Sequence, residues 1–168
     1  MLPLLIREVG QADIPFLWEM LYYAAHMAED GASHWDAAMA VPFLAQYVQD
    51  WGKSGDFGLV AVDTNSGQKV GAVWLRLLIE DKTSVTYHDD ETPELAIAVA
   101  PDWVGHGVGT ALMASLIESA QQRYPALVLS VRADNPAIRL YQRFGFVETA
   151  QIVNRVGTIS YKMLLKFE

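Results

Sequence analysis

The stretch ELAIAVAPDWVGHGVGTAL, residues 94–112, decides the fold of this 168-residue chain. Its apolar run from Leu95 to Val99 predicts a buried strand, and an apolar helix is predicted from about Val108 to Arg123. Between them glycines alternate with other residues at positions 105, 107 and 109. Glycine admits positive φ and close approach of a ligand, and the first turn of a helix offers unpaired N–H groups at the positive end of its dipole. The stretch therefore predicts an anion-binding turn, most naturally for phosphate.

The glycine spacing narrows the choice of phosphate ligand. A P-loop needs a lysine after its last glycine, and no lysine lies near this turn, which excludes that class of NTPase. A dinucleotide fingerprint needs glycine at position 110, where the chain has Thr110, so a dinucleotide-dependent oxidoreductase is disfavoured. A diphosphate ligand held by a shorter Gly-x-Gly-x-Gly turn fits what remains.

Outward from this turn, the sequence predicts elements in the order β-α-α-β-β-β-α-β-α-β-β. Hairpins early and strand-helix-strand units later are typical of a mixed sheet with helices on both faces. The aperiodic acidic segment between Glu80 and Pro93 is predicted as a loop. The other predicted features are a strand at 4–9, a helix from an N-cap at Asp13 to about His26, a helical region broken near Pro42 and ended by Gly52, strands at 57–62, 69–79, 126–131, 146–150 and 158–167, and a helix from an N-cap at Asn135 to Gly145.

Composition excludes several classes of protein. The chain is 52% apolar and 19% charged, which predicts one globular domain over residues 1–168. A net charge of −8 disfavours nucleic acid as a partner. The absence of cysteine excludes disulfides and thiol nucleophiles, and the four histidines lack metal-ligand spacing, so we expect no metal. With no leader pattern and no membrane-spanning run, we expect a cytoplasmic protein without a membrane partner.

A second signature, Asn135-Pro-Ala-Ile-Arg-Leu-Tyr141-Gln-Arg-Phe-Gly145-Phe146, follows the glycine turn. Together the two signatures resemble the GCN5-related N-acetyltransferase (GNAT) superfamily over nearly the whole chain. Two departures stand out: Ala137 falls one place early, and Val104 occupies a position that is usually Arg or Gln. The resemblance implies an α/β (α+β) chain with the GNAT fold, a central mixed and mostly antiparallel sheet of about seven strands with helices on both faces.

The resemblance also implies acetyl-CoA as co-substrate. It places the pyrophosphate on the turn and helix start formed by Val104, Gly105, His106, Gly107, Val108, Gly109 and Thr110. The pantetheine arm would run along Ile97, Ala98 and Val99, with the Val99 N–H holding the thioester oxygen, and Asn135 would contact the same arm. His106 would add a donor beside the phosphates, although an exposed loop histidine is an equal alternative.

Tyr141 matches the family's general acid, and Glu94 matches a glutamate base found in several members. A phenol with a pKa near 10 stays protonated at pH 7 and so can protonate the departing thiolate. Alternatives stay open for each residue: Tyr141 as a packed aromatic, Glu94 as a solvated charge at a strand end, and Asn135 as a helix cap alone. A chain of water molecules is an alternative to any dedicated base.

The acceptor is expected to be a primary amine of a small molecule that attacks the thioester directly. The resemblance implies an acceptor pocket that five residues could line, and ordinary packing is the alternative for each of them. These residues are Tyr22, Tyr23, His26, His34 and Trp35. The other functions considered are a non-catalytic acyl-CoA sensor and acetylation of a protein amino group. Relatives that acetylate protein amino termini carry glutamate where this chain has Ser130, which disfavours that route. A homodimer is the commonest assembly for soluble oligomers.

Overall fold

The structure is a computed structural model, and it describes residues 2–78 and 86–168. Seven strands of the described residues form one mixed sheet: β1 Leu4–Glu8, β2 Phe57–Asp63, β3 Lys69–Arg76, β4 Glu94–Val99, β5 Ala126–Arg132, β6 Val147–Val153 and β7 Ile159–Lys166. Their order in the sheet is β1-β2-β3-β4-β5-β7-β6. Pairs β1–β2, β2–β3, β5–β7 and β6–β7 are antiparallel, and β4–β5 is parallel. The seven-stranded mixed sheet expected from the sequence is confirmed.

Residues 2–78 and 86–168 also contain four α-helices. Short 3-10 turns at Gln11–Asp13, Ala37–Ala40 and Pro101–Trp103 precede the first three of them. In the part of the chain that the structure describes, no helix combines the length and the apolar character needed to cross a membrane. The helices are α1 Ile14–Ala24, α2 Pro42–Ala45, α3 Val108–Ala120 and α4 Ile138–Arg143.

The chain divides into two compact units. The first comprises Met1–Arg76 with Ala96–Leu116, and the second comprises Leu77–Leu95 with Ile117–Glu168. In the first unit, buried apolar side chains of α1, β2, β3 and α3 make the core, among them Leu17, Val60, Trp74, Leu112 and Met113. In the second unit the core includes Leu127 and Leu129 of β5 and Met163 of β7.

Asp13 lies at the N-cap position of α1, as predicted, but its side chain does not cap the helix. Asp13 has helical backbone angles and makes no cap hydrogen bond to α1. Its buried carboxylate instead accepts hydrogen bonds from Arg7 at 2.7 and 2.9 Å and lies 2.6 Å from the ammonium of Lys69. The bond from Arg7 is the largest cause that lowers the pKa of Asp13, with further lowering by Gly10 N–H and Lys69. Two basic partners from β1 and β3 thus outcompete the helix end for this carboxylate.

The second helical region is much shorter than the apolar pattern through Trp51 predicts. Residues after α2 form turns, and Asp50 has a φ of +59°. The buried Arg76 donates to the carbonyls of Gln46 and Gln49 at 2.8 and 2.6 Å. A continuing helix would need those same carbonyls for its own N–H groups. Arg76 also forms a bidentate ion pair with Asp56, at 3.0 and 2.8 Å, so the turn is fixed from β3.

The last predicted helix begins later than expected. Asn135 does not cap this helix, because α4 starts only at Ile138. The Oδ1 of Asn135 instead accepts a hydrogen bond from the Ala137 N–H at 2.9 Å, in the turn before the helix. Gly145, with a φ of +98°, follows the helix as predicted. The third strand ends at Arg76, before residues 77 and 78 of the predicted strand. Ile79 of that predicted strand and residues 80–85 of the predicted acidic loop lie outside the described residues.

Candidate active site

The glycine turn before α3 has the backbone conformation that the sequence predicts. Gly105 and Gly107 have φ values of +84° and +86°, in the left-handed region where side chains are strained. A Cβ added at Gly105 would meet nothing within 4 Å, and one at Gly107 would meet only a Leu2 methyl at 3.5 Å. The turn therefore presents bare backbone to open space, which is the form expected of a surface that a phosphate group approaches.

The start of α3 supplies further donors to the same surface. Ala111 N–H bonds the Gly107 carbonyl at 3.1 Å, in the first turn of the helix. The N–H groups of the preceding helical residues have no intrahelical carbonyl to reach. Val104 is 64% exposed, and the His106 ring contacts Trp103 edge-on at 6.3 Å between centroids. Val108, Gly109 and Thr110 are the first three residues of α3, and the Val108 side chain is buried.

The strand residues assigned to the cofactor arm lie in the second half of β4. Ile97 and Val99 are partly exposed, and Ala98 is buried. Just beyond them, Ala100 N–H donates to the Val70 carbonyl at 2.8 Å. A Cβ at Gly71 would come within 3.1 Å of the Ala98 carbonyl. The glycine in β3 thus allows β4 to lie close beside it, which fixes the position of residues 97–99.

Glu94 is not the solvated strand-end charge of the alternative reading. Its side chain is only 4% exposed, at the start of β4. Thr86 Oγ1 donates to Glu94 Oε2 at 3.2 Å. The register of the parallel β4–β5 pair sets Glu94 beside Val128, and the Val128 N–H donates to the Pro93 carbonyl at 3.1 Å. A buried, hydrogen-bonded carboxylate is a group that can act as a base where water is scarce.

Tyr141 is buried in α4, with 7% of its surface exposed. Its ring packs edge-on against Phe146, 6.1 Å between centroids. Burial raises the pKa of Tyr141 to about 12. The phenol therefore keeps its proton throughout the neutral range, as a general acid must, while its ring also does the packing that the alternative reading describes.

The acceptor residues fall into different environments. Tyr22 is buried, donates its hydroxyl to the Ala32 carbonyl at 2.7 Å, and touches Tyr23 edge-on, so it supports the chain that follows α1. Tyr23 is partly exposed, and its pKa is raised by burial and then by Glu19, Tyr22 and Asp102. Trp35 is exposed, as is His34. His26 has a φ of +56°, and its Nδ1 lies 3.9 Å from Glu29.

The sequence-predicted residues are divided between the two compact units. The first unit contains the glycine turn, residues 97–99 and the acceptor candidates, and the second contains Glu94, Asn135 and Tyr141. Within residues 2–78 and 86–168, no group of three or more His, Cys, Asp or Glu is arranged to hold a metal ion. Sequence reasoning missed Thr86, because it lies in the aperiodic segment and no local pattern marks it as a partner of Glu94.

Comparison with known proteins identifies the family of the chain. The model of the acetyltransferase (GNAT) family matches residues 18–146. Over 89 residues the chain is 33% identical to the mycothiol acetyltransferase of Thermobifida fusca (strain YX), a match that covers 52% of this chain and 27% of that protein. The chain thus spans little more than a quarter of the length of that curated relative.

Solved structures share the fold over almost the whole chain. A putative acetyltransferase from Salmonella typhimurium, solved with its cofactor acetyl-CoA, has a TM-score of 0.69 at 23% identity, covering 99% of this chain and 95% of that one. The ribosomal-protein alanine N-acetyltransferase from Escherichia coli has a TM-score of 0.69 at 21% identity, and the match covers 98% of this chain and 94% of that one. A mutant spermidine N-acetyltransferase from Vibrio cholerae has a TM-score of 0.65 at 18% identity, and the match covers 98% of this chain and 94% of that one. By the match over residues 18–146, the chain belongs to the acetyltransferase (GNAT) family.

Proposed function

We propose that the chain, as a single domain over residues 1–168, is a cytoplasmic N-acetyltransferase that transfers an acetyl group from acetyl-CoA to a primary amine of a small molecule. The observation that carries the proposal is the exposed turn at Gly105 and Gly107, whose positive φ values bare the backbone in front of α3. An added Cβ at Gly105 would meet nothing within 4 Å, so the backbone there is open to an approaching ligand. The residues present therefore fit the diphosphate group of coenzyme A.

Residues of the first unit bind the co-substrate in this proposal. N–H groups of the turn and of the α3 start (Val104 to Thr110) donate to the diphosphate oxygens. Residues 97–99 hold the pantetheine arm, and the Val99 N–H donates to the thioester oxygen as it gains negative charge. Removal of one such donor costs roughly 3 kcal/mol of transition-state stabilisation in comparable sites. Asn135 is proposed to contact the same arm.

Bound acetyl-CoA supplies a thioester carbonyl, at which the amine nitrogen forms a C–N bond while the C–S bond breaks, leaving an amide and the thiol of CoA. Glu94 accepts the proton that the amine nitrogen gives up, directly or through water. Tyr141 gives its phenolic proton to the departing sulfur and takes one back from water. The raised pKa of Tyr141 supports its role, because the phenol stays protonated at neutral pH until the sulfur departs. Glu94 is proposed as the base because its carboxylate is buried and hydrogen-bonded at the start of β4.

The acceptor is proposed to be a small cationic or neutral amine. The partly exposed Tyr23, with Glu19 and Asp102 acting on its phenol, supports an acceptor that carries positive charge. Trp35 and His26 are further candidates for contact with the acceptor, whereas the hydroxyl of Tyr22 is already bonded to a backbone carbonyl. Two of the similar structures are enzymes named for acetylating spermidine and a ribosomal-protein alanine, so a small polyamine and a protein amino group both belong among the compounds to assay.

The experiment that tests the proposal is thiol release from acetyl-CoA, assayed over a panel of polyamines, amino sugars, amino-terminal peptides and aminothiols. We expect acetyl-CoA to bind with micromolar affinity, about 8 kcal/mol, and at least one small amine to release thiol. Calorimetric binding of acetyl-CoA without turnover of any amine would favour the non-catalytic acyl-CoA sensor. Binding of NAD in place of acetyl-CoA would refute the proposal.

A further inference from the structure

The segment before β4 carries a buried hydroxyl aimed at Glu94. Thr86 is 3% exposed, and its Oγ1 donates to Glu94 Oε2 at 3.2 Å. Thr86 precedes Glu94 by eight residues, so this hydrogen bond joins the aperiodic segment to the carboxylate that is proposed as the base. A buried carboxylate bonded by a hydroxyl has restricted rotation about its last side-chain bond, because rotation would break a bond that water does not replace there.

This segment is held to the sheet at both ends. Lys162 of β7 donates its Nζ to the Tyr87 carbonyl at 3.1 Å, one residue after Thr86. At the other end the Val128 N–H of β5 bonds the Pro93 carbonyl, one residue before Glu94. Between them the Tyr87 hydroxyl bonds Asp90. Thr86 and Glu94 are therefore each adjacent to a backbone carbonyl that a strand of the second unit fixes.

We propose that Thr86 is a positioning residue for the base: its hydroxyl orients the Glu94 carboxylate for proton transfer from the acceptor amine. The inference rests on the proposed role of Glu94. Thr86 takes no part in bond formation; it holds one carboxylate oxygen so that the plane of the carboxylate keeps one direction. Misorientation of a reacting group by a fraction of an ångström is enough to slow a reaction without weakening substrate binding.

Substitution at Thr86 separates this role from packing. Thr86→Val removes the hydroxyl and keeps the shape of the side chain, and we expect kcat to fall about tenfold, with the KM for acetyl-CoA unchanged. Thr86→Ser keeps the hydroxyl and loses a methyl group, and we expect it to restore kcat to within about threefold of the wild type. The matched control is Thr92→Val, since Thr92 is also buried and its hydroxyl makes no hydrogen bond to Glu94. Its kcat should equal that of the wild type.

Two further measurements make the result decisive. In a Glu94→Gln background, Thr86→Val should cause no additional loss of kcat, because the base that it positions is gone. The carbon-13 resonance of the Glu94 carboxylate, assigned by its disappearance in Glu94→Gln, should shift in Thr86→Val and return in Thr86→Ser, whether or not the enzyme turns over.

Different outcomes point to different failures. Wild-type kcat in Thr86→Val, equal impairment of the Val and Ser variants, or an undiminished effect in the Glu94→Gln background would each overturn the positioning role. If no amine releases thiol while the resonance still responds to Thr86→Val, the contact exists but the proposed function fails, and the positioning role fails with it. An unmoved resonance would overturn the contact itself.

Discussion

Replacing Gly105 by alanine isolates the contribution of the bare turn to cofactor binding. Gly105 has a φ of +84°, and an added Cβ would meet nothing within 4 Å, so the substitution introduces conformational strain and no clash. An L-residue in the left-handed region costs about 1–2 kcal/mol. Because residues 104–107 are exposed and lie in a turn, the unbound variant can relax to negative φ. Binding must then restore the original conformation, and the strain appears as weaker affinity.

The expected loss of affinity follows from that cost. With 1.4 kcal/mol for each tenfold change, the Kd for coenzyme A should rise about 5- to 30-fold. Titration calorimetry measures the Kd, and thermal unfolding with and without coenzyme A checks it through the ligand-dependent shift in Tm. The matched control is Gly157→Ala between β6 and β7, where φ is also +84° and an added Cβ also meets nothing within 4 Å. It carries the same strain at a place with no proposed ligand, so its Kd should equal that of the wild type. An unchanged Kd in Gly105→Ala, or an equal increase in both variants, would refute the reasoning.

Three other substitutions test the site and the fold. Tyr141→Phe should lower turnover about 10²-fold in the thiol-release assay and leave the Kd for acetyl-CoA unchanged; equal turnover would remove the phenol from the mechanism. Asp13→Asn should destabilise the protein by about 1–3 kcal/mol in urea unfolding at pH 7. Because the folded-state pKa of Asp13 is lowered, its contribution to stability is fully present above an unfolded pKa of about 4 and is lost as the pH falls below that value. The difference in stability between wild type and variant should therefore shrink from about pH 4 toward about pH 2. A difference that grows on acidification would contradict this pairing. Gly71→Ala would bring its Cβ within 3.0 Å of a Leu112 methyl and 3.1 Å of the Ala98 carbonyl, and the overpacking should cost about 1–3 kcal/mol of stability, which urea unfolding of wild type and variant would reveal.

Local patterns predicted the parts of the fold in which neighbours in sequence decide the structure. The glycine turn and the apolar strand before it lie where residues 94–112 predict them, because glycine geometry and apolar burial are local properties. The errors arise where a distant side chain competes. Lys69, from the middle of the chain, helps take Asp13 away from α1, and Arg76 takes the carbonyls that would have continued α2. Neither competitor can be recognised from the sequence around the helix it affects.

The candidate site shows the same division. The glycine signature selected the turn with two positive φ values, and the resemblance selected Tyr141 and Glu94, which are both buried. The hydrogen-bond partner of Glu94 could not be predicted from the sequence. Thr86 is separated from Glu94 by an aperiodic segment, and no periodic pattern indicates the path of that segment. The assignment of catalytic and binding roles stays a prediction that the substitutions above test.

The most direct test of the central claim is a crystal structure of this chain with coenzyme A bound. We expect diphosphate oxygens about 2.7–3.2 Å from backbone N–H groups of residues 105–110, with Gly105 and Gly107 still at positive φ. A bound coenzyme A whose diphosphate lies on another surface, with the turn before α3 making no contact to it, would contradict the proposed cofactor site.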